Sequence, residues 1–119
     1  MALYLGIDIG TSASKGVLID DRCNIVCQAS CGHETDNPCD GWYQHDAEAV
    51  WWGDFCRLSR ELVMLSGVNA AQIGCVGLSA LGCDCVPVDT ECNALAPAIL
   101  YGVDARSMPQ IDELRSEYG

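Results

Sequence analysis

The segment Tyr4–Gly16, YLGIDIGTSASKG, decides how this chain is read. An apolar strand ends at Asp8, small and hydroxylated residues follow at once, and Lys15 stands behind them. Two structures share this pattern: a plain surface hairpin, and a turn that holds phosphate. Gly10 allows a tight turn in which successive N–H groups converge on an anion. Thr11 and Ser12 add hydroxyl donors, and Lys15 supplies a compact positive charge. Asp8 can only accept hydrogen bonds and would repel a phosphate directly. Its place makes sense if it binds Mg²⁺ through water, the cation bridging to phosphate oxygens. The segment is not the Walker pattern, which requires G-x-x-x-x-G-K-[ST]. Taken by itself, it leaves both readings open.

The surrounding 119 residues are of single-domain size, and 50% of them are hydrophobic, enough for a core. Six basic residues face seventeen acidic ones, a net charge of −11. That average field disfavours nucleic acid and anionic membranes as partners. It also requires any phosphate site to rely on local backbone donors, a lysine and a metal cation. No apolar run reaches membrane-spanning length, and the start lacks the form of a secretory signal, so the expectation is a soluble, cytoplasmic protein. The nine cysteines are spaced C-x3-C-x3-C with a lone C-x-C, unlike structural zinc sites. They are expected to be reduced and to act as small hydrophobes.

Along the chain, Leu3–Ile9 reads as a buried strand, and Lys15–Ile19 and Ile25–Ser30 as two more in an antiparallel meander. A polar loop follows. Asp46 then caps a helix whose face carries Ala47, Val50, Trp51, Phe55, Leu58, Leu62 and Leu65, with Gly67 as the stop. Trp51 belongs to that apolar face rather than to a ligand platform. Ile73–Ser79 reads as another buried strand, and Asp84–Asp89 with Leu95–Tyr101 as a strand pair around TECN. Ser107 and Gln110 form a capping-box pattern, with Pro109 in the first turn.

This order of elements resembles the amino-terminal part of the FGGY carbohydrate kinases, especially xylulose kinase-like members, over essentially the whole chain. The carrying segments are YLGIDIGTSASKGVLID, WYQHDAEAVWW and IGCVGLSALGCDCVPVDTECNALAPAILYGVDARS. The resemblance implies an α/β actin-like ATPase (ribonuclease H-like) fold, with residues 1–119 forming an incomplete first lobe: a mixed sheet with flanking helices. It implies ATP-dependent phosphorylation of a sugar or polyol with Mg²⁺. By motif position, Gly10, Thr11, Ser12 and Lys15 would line the ATP phosphates, and Asp8 would organise the metal. Gly82, Cys83, Tyr101 and Asp104 would lie on the sugar side, with Arg106 matching the family's basic residue.

The departures from the family pattern set the limits of the reading. Where xylulose kinases carry GQMH, this chain has Ala80–Cys83, ALGC, with less hydrogen-bonding capacity. The glycerol kinase-like QRE is absent too, which speaks against glycerol. The family's catalytic aspartate lies downstream of residue 119, so no catalytic base is assigned here and the chain is expected to be inactive alone. The partners implied are a nucleotide and a small sugar, with a homodimer of the full-length protein compatible. A non-catalytic actin-like nucleotide-binding module is the alternative, and a thiol-rich metal-binding protein is a more distant one.

Overall fold

The computed structural model describes residues 2–119. Strands β1 (Leu3–Ile9), β2 (Ala13–Asp20) and β3 (Ile25–Gly32) form an antiparallel meander. The sheet order is β3-β2-β1-β5, and β5 (Ile73–Ser79) runs parallel to β1. A parallel neighbour needs a crossover, which helix α1 (Gly53–Ser66) supplies. A short second sheet pairs β4 (Gln44–His45) with β6 (Ala98–Ile99), and helix α2 (Met108–Tyr118) ends the chain.

Alternation in β1 explains how the core forms. Leu3, Leu5, Ile7 and Ile9 are all buried, and they pack with Leu18, Leu58 and Leu62 between the sheet and α1. Gly16 allows the close approach of α1 to β2. A Cβ at that position would lie 2.8 Å from Leu62 Cδ1 and 3.1 Å from Ile7 Cδ1. Gly67, at φ 65°, closes α1 in the left-handed conformation and donates to the Val63 and Met64 carbonyls.

The first strand has the bounds the sequence suggests, but β2 and β3 are longer than Lys15–Ile19 and Ile25–Ser30, because hydroxyls and glycines at their ends still join the ladder. Asp46 does cap, accepting from the Glu48 and Ala49 amides, but it caps a π-helical turn (Ala47–Trp52) that leads into α1. Leu65 is exposed, so the apolar face ends a turn earlier than its periodicity indicates.

Four expectations need correction. β5 forms, yet all but Ile73 of it is exposed, because it is an edge strand without a covering helix among the described residues. The Asp84–Asp89 and Leu95–Tyr101 pair is reduced to isolated bridges, Cys85 with Ile99 and Val88 with Ala94, and Ile99 also pairs with Gln44 of β4 on its other side. Ser107 precedes α2, but it adopts a helical conformation and its side chain makes no capping bond. Of the nine cysteines only Cys27, Cys31 and Cys56 are partly buried; the other six are exposed and do not serve as core hydrophobes.

Two of those exposed cysteines occupy equivalent turns. In Asp20–Asn24 and again in Asp89–Asn93, the aspartate accepts from the amides two and four residues on and from the asparagine side chain. The cysteine of each turn, Cys23 or Cys92, is forced to positive φ, 63° and 65°. A side chain there costs about 1–2 kcal/mol, against about 0.5–1 kcal/mol of extra chain entropy for glycine. C23G and C92G should therefore each raise stability by about 0.5–1 kcal/mol in denaturant titrations. By contrast L58A, which empties the centre of the core, should cost about 2–5 kcal/mol.

Candidate functional site

The hairpin register builds a polar row across the open face of the sheet. Asp8 pairs with Lys15 on β2 and with Ser79 on β5, and Lys15 pairs with Ser30 on β3. All four line an open depression of about 820 Å³, floored by Gly6, Gly16 and Gly77. Asp8 is exposed, and its carboxylate makes no hydrogen bond or ion pair among the described residues. No group of three metal-ligating side chains occurs among the described residues. A single free carboxylate fits Mg²⁺, which keeps most of its waters and takes its other ligands from phosphates. It does not fit a cation that needs a full protein cage.

Beyond Asp8 the chain turns at Gly10–Ser12, where Gly10 N–H donates to the Ala13 carbonyl at 3.0 Å. A Cβ on residue 10 would sit 2.7 Å from that same oxygen, so only glycine fits. Thr11 and Ser12 are exposed. Every carbonyl of the turn is taken from behind. His33 Nε2 bonds the Gly10 oxygen at 2.9 Å, Thr35 Oγ1 donates to the Thr11 oxygen at 3.2 Å, and His33 N–H donates to the Ser12 oxygen at 3.0 Å.

The supports of the turn are themselves anchored. Asp54, in the first turn of α1, is buried and accepts from Ser14 Oγ and His33 Nδ1, each at 2.7 Å. Burial opposes its charge, but the bonds from Ser14, His33 and Cys31 prevail and hold its carboxyl below the usual range. Buried His45 accepts from Trp51 Nε1–H through Nδ1 at 3.0 Å, which leaves Nε2–H to donate to Thr35 Oγ1. Burial, and then the neighbouring His33, lower its pKa and keep it neutral.

On the other side, β5 leads from Ser79 into the loop that carries Gly82 and Cys83, both exposed, with Cys83 at φ 61°. The next residue, Asp84, accepts from the Tyr101 amide at 2.7 Å, which sets the loop beside Tyr101. The Tyr101 side chain is 72% exposed. Asp104 behaves differently. Its carboxylate takes the Tyr43 amide at 2.7 Å and two bonds from Arg106 Nε at 2.9 Å, and Arg106 lies 4.3 Å over the Trp42 ring.

Sequence reasoning singled out the hairpin residues but missed His33, Thr35, His45 and Asp54. Asp54 had left a signal. It lies three residues after Trp51 and four before Leu58, a carboxylate on an apolar helix face that must find donors. His33 carries no such signal, because its partners are distant in the chain.

The mixed sheet, crossover helix and glycine–hydroxyl hairpin match the N-terminal lobe of FGGY kinase structures, which has an actin-like ATPase fold. The chain belongs to the FGGY family of carbohydrate kinases, residues 3–119 matching the family's N-terminal domain. It is similar to a xylulose kinase structure from Brucella ovis, at TM-score 0.85 and 31% identity, covering 97% of this chain and 24% of that one. The glycerol kinase of Plasmodium falciparum, solved with ADP, superposes at TM-score 0.85 and 25% identity, covering 100% and 24%. The xylulose kinase of Bacillus subtilis is 30% identical, covering 100% of this chain and 23% of its own length. The chain thus spans under a quarter of the length of these relatives.

Asp104 gives this side of the molecule a pH signature. The Arg106 hydrogen bonds, opposed by burial and helped by the Tyr43 amide, hold its pKa at about 2, down from 3.8. Its contribution to stability is complete above the unfolded value and fades as pH falls from about 3.8 towards 2. Thermal melts of D104N across that window should show a shallower acid loss than the parent chain.

Proposed function

We propose that the chain is the leading part of the first lobe of a sugar kinase that transfers a phosphoryl group from Mg²⁺·ATP to a ketose or polyol hydroxyl, as xylulose kinases do. The observation that carries this reading is the hairpin. A free aspartate stands opposite a lysine on one face of the sheet, at the foot of a glycine–hydroxyl turn whose carbonyls are all engaged. Family membership supports it. In this reading the turn, through Gly10, Thr11, Ser12 and Lys15, holds the nucleotide phosphates by N–H, hydroxyl and ammonium donors. Asp8 orients the hydrated cation, which would supply charge neutralisation between the phosphate oxygens.

The sugar side is formed by Gly82, Cys83, Tyr101 and Asp104. Tyr101 offers an exposed ring, and Gly82 and Cys83 offer little beyond backbone, so the polyol would be read by shape more than by side-chain hydrogen bonds. Asp104 contributes from beneath, fixing the Tyr43 and Arg106 segments that frame that side. The catalytic base is not among these residues, and the chain does not transfer phosphate by itself.

Calorimetry with Mg²⁺·ADP should show binding that chelation abolishes. D8N should remove the Mg²⁺ dependence, and K15A should weaken binding by about tenfold, the scale of one charge-assisted contact. Coupled assays with ATP and D-xylulose should show no turnover. Metal-independent binding would contradict the role of Asp8, and turnover by this chain would contradict the placement of the base elsewhere.

A further inference from the structure

His33 and Asp54 lie behind the turn, apart from the residues that face the nucleotide in the reading above. The side chains of both are 6% exposed. Their geometry fixes the protons. A carbonyl oxygen only accepts, so the Gly10 oxygen requires a proton on His33 Nε2. An ionised carboxylate also only accepts, so Asp54 requires one on Nδ1, 2.7 Å away. With both ring nitrogens donating, His33 is an imidazolium held against a buried carboxylate. Asp54 in turn takes Ser14 Oγ at 2.7 Å, which ties the pair to β2 immediately after the turn.

The effect on the turn follows from peptide planarity. In a trans peptide the C=O and the following N–H point in opposite directions. Drawing the Gly10 oxygen towards His33 therefore aims the Thr11 N–H away from the protein body. Drawing the Thr11 oxygen towards Thr35 does the same for the Ser12 N–H. Neither amide has a protein partner among the described residues. Two adjacent outward N–H groups make an anion-binding concavity.

We propose that the His33–Asp54 pair is the positioning brace of this turn. It holds the carbonyls inward so that the Thr11 and Ser12 amides stay presented to phosphate. This rests on the turn being the phosphate site. His33 is a positioning residue and touches no ligand itself. Its charge serves the Gly10 oxygen, and Asp54 offsets the cost of burying that charge. Around the pair stand neutral His45, with its ring centroid at 5.0 Å, and Cys31 beside Asp54, with Arg57 and Glu61 of α1, of opposite sign, acting on Cys31.

The test joins NMR and calorimetry on the 119-residue chain. Long-range ¹⁵N correlations of the His33 ring should show both nitrogens protonated at neutral pH. H33F keeps an aromatic ring and removes both donors. It should shift the Thr11 and Ser12 amide signals and weaken Mg²⁺·ADP by about tenfold or more, the loss of one charge-assisted bond. H33Q, which can still donate to the Gly10 oxygen, should recover part of both effects. A folded H33F with unshifted turn amides would overturn the proposal, as would a wild-type His33 with one bare ring nitrogen. The second measurement needs no variant and decides the matter even if H33F does not fold. If the parent chain fails to bind Mg²⁺·ADP, the functional reading falls, while ring protonation and turn amides still decide the brace.

Discussion

The register between β1 and β2 is the constraint on which the rest depends. Leu3 pairs with Asp20 and Ile9 with Ser14, and each pair between them is fixed in turn. Side chains alternate across a strand, so this one register sends Leu3, Leu5, Ile7 and Ile9 to α1 and Asp8 and Lys15 to the open face. A slip of one residue would bury the aspartate and lysine and expose the core. The same buried leucines and isoleucines that hold the sheet against α1 therefore also hold the polar row in place. Stability and the candidate chemistry share a single structural cause.

At the end of that hairpin the problem changes from apolar burial to the direction of three peptide units. A turn that presents amides outward must satisfy its carbonyls inward. Here His33, Thr35 and the Ala13–Gly10 contact divide the task. Behind them stand the Asp54 carboxylate and the Trp51–His45–Thr35 chain, both reaching from the start of the crossover helix. The helix thus fills the core with Leu58 and Leu62 and supports the turn with Asp54. In a chain of net charge −11, the proposed phosphate site has to rest on this local arrangement of donors.

What could be read from the sequence follows the range of the forces involved. The meander, the crossover helix and its glycine stop were legible because apolar periodicity and turn chemistry are local. The hairpin residues were legible because glycine, hydroxyls and lysine cluster within a few positions. The exposure of β5 was not, since an apolar strand reads the same whether or not anything packs on it. The 84–101 segment was only partly legible: its pairing survives as isolated bridges, and the added partner of Ala98–Ile99, Gln44–His45, lies far along the chain. The brace was hidden for the same reason: His33 and Asp54 lie 21 residues apart. The family resemblance supplied the fold; it gave no hint of the brace.

The claim at the centre of this account is that the Gly10–Ser12 turn presents its amides to phosphate. Mapping backbone amide shifts of the ¹⁵N-labelled chain as Mg²⁺·ADP is added tests it most directly. The account predicts that the largest changes fall on Thr11 and Ser12, with smaller ones on Asp8 and Lys15. Shifts confined to other turns, with Thr11 and Ser12 unmoved at saturation, would contradict it.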